Sequence, residues 1–297
     1  MSALPQRIAV TGASGLIGSA LVGHLKSEGH TVQRLVRRLP VSPDEVQWDP
    51  ATGFVDTAAL AGVDAVIHLA GVGVGDKRWS KKYKSQILNS RLMGTEAIAK
   101  AVAELQLQVF ISASAIGWYG ESGNRAVVET DRAGDDFLAA VCREWEAAAD
   151  LAGDVRTVKL RTGLVLDPTG GALGKMLPLF RLGLGGKMGN GKQWWSWITL
   201  HDQIRAIVFA LENPISGPVN VTAPNPVTNQ EFTSALARAM HRPALFPAPA
   251  LGLKIALGGF SSEILGSKRV IPHVLQEAGF TWDYPHISEA LAQLVED

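Results

Sequence analysis

The chain has 297 residues, 46% hydrophobic and 19% charged, enough for one large domain or a domain with an appended lobe. Its 28 Lys and Arg balance 28 Asp and Glu, so no global field draws it to nucleic acid or an anionic membrane. A single cysteine, Cys142, excludes an intramolecular disulfide and a cysteine-rich metal site.

The segment before Ile8 lacks the features of a secretory signal, and no apolar run reaches the roughly 18 residues of a spanning helix. A cytoplasmic protein, with no membrane or metal, is expected. Residues 8–11 predict a first strand, Leu16–Ser27 a helix and Thr31–Val36 a second strand. Further strands are expected at 65–69, 109–112 and 155–160, with helices over 82–104 and 136–151. Strands alternating with helices imply parallel pairing and right-handed crossovers. The fold class is therefore α/β, a doubly wound parallel Rossmann sheet with a small C-terminal substrate lobe. Residues 167–192 carry eight glycines, too many for a regular element. Residues 201–212 predict a helix and 218–222 another strand, then helices at 251–257 and 286–295. This divides the chain into a nucleotide-binding domain, 1–166, to which 199–222 returns, and a lobe made of 167–198 and 223–297.

Gly12, Ser14, Gly15, Leu16, Ile17 and Gly18 lie in the turn between the first strand and first helix. The first glycine permits the tight turn, the second admits a pyrophosphate to the backbone, and the third lets helix and strand pack. The helix start then offers unsatisfied N–H groups to the phosphates. At the end of the second strand, Val36, Arg37 and Arg38 stand where NAD-binding units place an acid on the ribose. An arginine there suits a 2′-phosphate, which favours NADP(H), with Arg37 the better candidate. Two arginines at a strand end are also ordinary solvated residues.

Farther along stand the runs Asp64 to Gly71, Asn89-Ser90-Arg91 before Gly94-Thr95, Ser112-Ala113-Ser114-Ala115 before Tyr119-Gly120, and Leu160-Arg161-Thr162-Gly163. Their order resembles the extended short-chain dehydrogenase/reductase superfamily of nucleotide-sugar epimerases and dehydratases. Ser112 to Gly120, Phe137-Leu138 with Cys142 and Trp145-Glu146, and Trp195 to Ile198 resemble one atypical, epimerase-like, NADP(H)-binding subgroup. The tail from Pro247, with Val270-Ile271-Pro272 and Ala278-Gly279-Phe280, is similar to that subgroup's C-terminal segment. The resemblance implies that Leu69, Ala70 and Gly71 line the adenosine side. It gives Gln86, Asn89 and Arg91 to the nicotinamide half, and sets Ser112 and Ala113 beneath the nicotinamide. His68, in an apolar strand, reads as a core histidine.

Working members of that superfamily carry Tyr-x-x-x-Lys on the helix after the fourth strand, the lysine lowering the tyrosine pKa for proton transfer. None of the three tyrosines here has a lysine four positions later. If Glu146 matches the acid that follows the pair, Leu138 and Cys142 fill the Tyr and Lys places. Three readings follow: Tyr119 assisted by Ser114 takes the proton; the protein binds NADP(H) without turnover, as a regulator or scaffold; or Cys142 is a nucleophile, against the habit of helix-buried cysteines. Trp118, Trp194, Trp195 and Trp197 suit either a stacked substrate or packing between lobes. Arg161 either receives an anionic group near the cofactor or pairs internally, and Lys175 and Arg181 are candidates by position. The expectation is an NADP(H)-dependent oxidoreductase or epimerase-like protein, monomer or homodimer, acting on a small molecule.

Overall fold

Short apolar runs buried on both faces belong in the middle of a parallel sheet, and the first half of the chain supplies them at regular intervals. A computed structural model describes residues 6–296. It contains β1 (Arg7–Thr11), α1 (Leu16–Ser27), β2 (Thr31–Val36), β3 (Glu45–Asp49), β4 (Phe54–Val55), β5 (Ala65–His68), α2 (Lys81–Glu104), β6 (Val109–Ala115), β7 (Ala126–Val127), α3 (Phe137–Ala149), β8 (Arg156–Thr162) and β9 (Leu164–Asp167). There follow α4 (Gly171–Arg181), β10 (Trp194–Trp195), β11 (Trp197–Thr199), α5 (Leu200–Glu212), β12 (Gly217–Val221), β13 (Val227–Thr228), α6 (Asn229–Ala239), α7 (Ala250–Leu257), α8 (Ser261–Leu265), β14 (Arg269–Val270), α9 (His273–Glu277) and α10 (Ile287–Val295).

The main sheet has eight strands in the order β12-β8-β6-β5-β1-β2-β3-β4. Every neighbouring pair is parallel except β3 with β4. From β1 the chain runs outward through β2 and β3, then crosses back to β5. A crevice therefore opens beyond the carboxyl ends of β1 and β5, where doubly wound folds bind ligands. Alternation along β1 feeds two cores: Ile8 and Val10 pack with Leu21, Leu25, Ile204 and Ile207, while Ala9 packs with Ile98, Val102 and Phe110. A third core joins α4, α6 and α10 through Leu173, Leu177, Phe180, Phe232, Leu236 and Leu291. No helix among the described residues is long and apolar enough to cross a membrane.

The glycine-rich stretch differs from its sequence reading, because 171–181 is helical. Leu173, Met176, Leu177 and Phe180 recur at helical spacing and are all buried, and that burial outweighs the glycine penalty. Gly174 is also useful there: a Cβ would lie 3.2 Å from the Pro168 carbonyl. The pairs β3–β4 and the helix α6 are likewise additions. Thr228 and Glu231 form a full capping box on α6, so a start signal was present among the prolines.

Candidate active site and cofactor cavity

Thr11, the last residue of β1, ties the crevice together. Its hydroxyl oxygen accepts from the backbone N–H of Leu69 (3.1 Å) and Ala70 (3.2 Å) and lies 2.7 Å from His68 Nδ1. With the oxygen already accepting, the hydroxyl proton goes to the imidazole. Burial pushes the His68 pKa down to about 3, so the ring is neutral. Its Nε2 has no partner among the described residues. This is a core histidine, as the sequence suggested.

The three glycines of the turn differ in what they must accommodate. Gly12 has φ +69°, and a Cβ would sit 2.8 Å from the Leu69 carbonyl carbon. At Gly18 a Cβ would sit 2.1 Å from the Gly12 carbonyl oxygen. Both are required by the protein's own packing. Gly15 is not: its φ is −81°, and its Cβ would make only ordinary contact, 3.4 Å from Gly12 O. The residue is exposed, and no side chain caps the helix that starts behind it. The N–H groups of Leu16 and Ile17 therefore face outward with a positive dipole end.

A cavity of about 390 Å³ begins at this turn. Gly12, Gly15, Leu16, Ile17 and Gly18 line it on one side, with Leu69 above and Ala113 and Ser114 from β6. Sequence reasoning missed the rest of the wall: Trp145, Thr162, Gly163, Leu164, Val165, Gly171, Ala172 and Gln203. Gly163 had a signal in the Leu160-to-Gly163 run, and its reason is steric, since a Cβ would lie 2.7 Å from Ser196 O. Gln203 had none. Its side chain is buried, and its amide oxygen has no partner among the described residues.

At the adenosine side, the two arginines separate. Arg38 donates two hydrogen bonds to Glu45, of 2.7 and 2.6 Å, so its guanidinium already has an internal partner. Glu45 also accepts from the Val41 N–H and faces Arg34 at 3.2 Å. Those partners, Arg38 first, hold its pKa near 2. Arg37 is exposed and makes no side-chain hydrogen bond to a described residue. Val36 ends β2 beside Gln47, and Ser14 is exposed in the turn.

The loop after β5 rests on Arg91. Its Nη1 donates to Val72 O (2.9 Å) and Ile87 O (3.1 Å), and its guanidinium lies 4.7 Å over the Trp145 ring. Gly71 is exposed above it, where a Cβ would be 3.5 Å from the guanidinium carbon. Gln86 and Asn89 are exposed on α2 and do not line the cavity. Ser112 is buried short of it, its Oγ 3.3 Å from Ala113 O.

The acid–base expectations change most. Tyr119 is buried and absent from the cavity wall. Its hydroxyl donates to Asn220 Oδ1 (2.6 Å) and accepts from Arg161 Nη1 (3.1 Å). Burial drives its pKa up to about 12 against the pull of Arg161, away from a base at neutral pH. Arg161 is not a cofactor contact either. It pairs with Glu146 through Nε–Oε1 (2.8 Å) and Nη2–Oε2 (2.9 Å), and its Nη1 also reaches Glu129 O. Burial opposes its charge, but Glu146 overcomes that and raises its pKa. Ser114 does line the cavity, with its hydroxyl donating to Glu146 Oε1 at 2.7 Å. Cys142, on α3, is buried, and burial followed by the Glu146 charge pushes its thiol up to about 12. The nucleophile reading fails on that ground.

The indoles pack. Trp118 N–H donates to Asp131 O, Trp194 to Asn124 Oδ1, Trp195 to Ile264 O and Trp197 to Asn225 O. Lys175 is exposed on α4, and Arg181 lines a separate cavity with His241 and Arg242.

Comparison with known proteins agrees with this arrangement. The model of the NAD dependent epimerase/dehydratase family matches residues 8–222, and a domain of unknown function, DUF1731, matches residues 248–294. An epimerase family protein of Mycobacterium leprae is 46% identical over 290 residues, 96% of this chain and 94% of its own. Human epimerase family protein SDR39U1, whose crystal structure is described as with NADPH, superposes with a TM-score of 0.90. It is 33% identical, over 98% of this chain and 99% of its own. A nucleoside-diphosphate sugar epimerase from Corynebacterium glutamicum is 36% identical with a TM-score of 0.80, covering 98% of this chain and 58% of that one. The chain belongs to the NAD dependent epimerase/dehydratase family.

Proposed function

We propose that the chain is an NADP(H)-dependent oxidoreductase or epimerase-like protein acting on a small molecule. The observation that carries the cofactor reading is Gly15, the one glycine of the turn that no protein contact demands. Its open face over the uncapped start of α1 fits a pyrophosphate. Leu69, Ala70 and Gly71 follow β5 on the adenosine side, and Ala113 and Ser114 lie toward the nicotinamide half. Arg37, without an internal partner, holds the 2′-phosphate by charge-assisted hydrogen bonds. Arg38 stays with Glu45 and steadies the loop from which Arg37 projects. The NADPH described for the human relative supports the same choice. Bound there, the cofactor supplies hydride chemistry; the chain orients it and closes one side of it with Leu69, Trp145 and Leu164.

Fluorescence titration tests the reading. Arg37→Ala should weaken NADPH binding roughly 10- to 150-fold, the equivalent of losing hydrogen bonds to a charged group worth about 1.5–3 kcal/mol. NADH binding should hardly change. Equal affinity of the unaltered protein for NADH and NADPH would sink the assignment.

A further inference from the structure

The zero net charge of the chain hides a division. Residues 168–201 and 232–262 carry seven Lys and Arg and no Asp or Glu, which leaves 21 Lys and Arg against 28 acids elsewhere. The cations are Lys175, Arg181, Lys187 and Lys192 in the first segment, and Arg238, Arg242 and Lys254 in the second. None of them forms an ion pair with a described residue. The same two segments hold apolar side chains out in solvent. Of twelve large exposed apolar side chains among the described residues, seven fall here: Leu179, Leu182 and Leu184, then Leu245, Phe246, Leu251 and Ile255. Single exposed leucines are ordinary, but a cluster is not. Main-chain hydrogen bonds lay the segments side by side: the Phe246 N–H donates to Gly185 O (3.2 Å) and the Ala248 N–H to Lys187 O (2.9 Å). Just beyond, α7 begins, and none of its residues is buried. Leu251, Lys254 and Ile255 share one face of it by helical spacing, with Leu251 70% and Ile255 66% exposed. At the end of α4, Arg181 sets another cation beside Leu182, which is 72% exposed. Pro243, Pro247 and Pro249 stiffen the segment that carries Leu245 and Phe246, so these side chains are held out at little further entropic cost.

Three kinds of partner could cover such a face, and its charge and shape choose among them. A second copy would set the same cations against these, and like charges across an interface oppose binding. A protein partner anchors its contacts in pockets, whereas these side chains project, and none of the seven lines either cavity described above. A bilayer accepts projecting leucines one by one, while Lys and Arg stems lie along its apolar boundary with their charges at the headgroups. From the projecting apolar side chains and the unpaired cations among them, we infer that this face of the C-terminal lobe docks on an anionic phospholipid surface, of the phosphatidylglycerol kind. Leu182, Leu245, Phe246, Leu251 and Ile255 enter the acyl boundary, and Arg181, Arg242 and Lys254 meet the phosphates. The attachment is peripheral, since no described helix is long and apolar enough to span. One helix joins this face to the crevice: Gly171 and Ala172, at the start of α4, line the cofactor cavity, and the end of α4 carries Leu179 and Leu182. Its 11 residues, at about 1.5 Å each, separate the two by roughly 15 Å, so each can be perturbed without the other. The inference does not depend on the cofactor reading.

Vesicle co-sedimentation of the full chain tests it, with phosphatidylcholine vesicles against phosphatidylcholine mixed with phosphatidylglycerol. At an ionic strength of about 0.1 M, the anionic vesicles should bind the protein at least about tenfold more tightly than the neutral ones, and about 1 M salt should remove most of that preference. Leu251→Glu combined with Ile255→Glu should weaken vesicle binding more than about tenfold. Both side chains are exposed and neither lines the cofactor cavity, so the denaturation midpoint and NADPH affinity should hold. Arg242→Gln combined with Lys254→Gln leaves the apolar face whole, and should weaken binding roughly fivefold per charge removed and flatten its salt dependence. Equal binding to both kinds of vesicle, binding to neither, or binding that survives both double variants overturns the inference. Without vesicle binding, a dimer that Leu251→Glu with Ile255→Glu dissolves would give the face to a second copy. Capture of an acidic amphipathic peptide in place of vesicles would give it to a protein partner, and either result overturns the lipid assignment.

Discussion

At the turn, uncapped N–H groups, an open glycine and an unpaired arginine wait on the outside of the sheet for negative charge to arrive. The contrast is plain across the same cavity, at the β6 and β8 ends, where Arg161 and Glu146 already match each other. Ser114, Glu146, Arg161, Tyr119 and Asn220 form one hydrogen-bonded chain, and Asn220 continues to Ile271 O. The first region is unsatisfied without a ligand, which is how a binding surface is built. The second is satisfied without one, which is how a core is built. Residues that resemble catalytic groups by sequence have become the internal scaffold that fixes the position of β6, α3 and β8.

The largest expected effect breaks that scaffold. Glu146→Ala would leave Arg161 buried and uncompensated, and should cost about 3–5 kcal/mol of stability. Denaturant unfolding at constant pH measures it, and a loss under about 1 kcal/mol would mean the pair is not structural. At the other region, Gly15→Val should weaken binding of NADPH and NADH alike by more than about 100-fold, since a branched side chain fills the space over the turn. Stability should hold, because no protein atom lies within 3.4 Å of the added Cβ. Normal NADPH binding by this variant would place the cofactor elsewhere.

A pH experiment probes the strand end between the two regions. His68 has a folded pKa near 3 and an unfolded value of about 6.5. Above pH 6.5 both states are neutral and the full stability is present. As pH falls below that value the unfolded chain takes a proton that the folded chain refuses, so stability is lost down to about pH 3. At pH 5 the loss from this group should be about 2 kcal/mol. Asp44, held low first by Ser42 and then by Arg34, and Glu45, held low by Arg38, weaken the fold only below their unfolded range, near pH 4.5. Comparing unfolding at pH 7.5 and 5 keeps those carboxylates out of the window, and His68→Gln should flatten the difference. An unchanged pH slope in that variant would contradict the assignment.

The turn was legible because its chemistry is local: three glycines at fixed spacing between a strand and a helix suffice, and Arg37 follows one strand later. What sequence left obscure depends on distant partners. Nothing near Tyr119 announces Asn220, 101 positions on, and neighbouring arginines 37 and 38 look alike until Glu45 folds against one of them. Arg161 was open to two roles, and only the packing of α3 on β8 brings Glu146 to it. The α4 helix was hidden by glycines whose conformational cost is local, while the burial that offsets it comes from α6 and α10. Trp145 and Gln203 reach the cavity from helices whose faces are set by the same tertiary packing.

Tyr119→Phe is the smallest perturbation and the sharpest comparison of scaffold with catalyst. The change removes one oxygen without opening a cavity elsewhere. Asn220 Oδ1 loses its donor, whereas Arg161 Nη1 keeps Glu129 O at 3.0 Å and the guanidinium keeps both oxygens of Glu146. A single buried acceptor left unpaired should cost about 1–2 kcal/mol, visible as a shifted denaturation midpoint with an unchanged slope. NADPH affinity should hold, since the residue does not line the cavity, and so should the rate of any NADPH-dependent turnover. A phenol with a pKa near 12 has little phenolate to offer at neutral pH, so its removal takes nothing from a proton transfer. If instead the rate fell by the 10²- to 10⁴-fold typical of a lost general acid or base while the midpoint stayed in place, Tyr119 would have to leave its pocket during turnover. The buried chain from Ser114 to Asn220 would then be one state of a moving site, not a fixed scaffold.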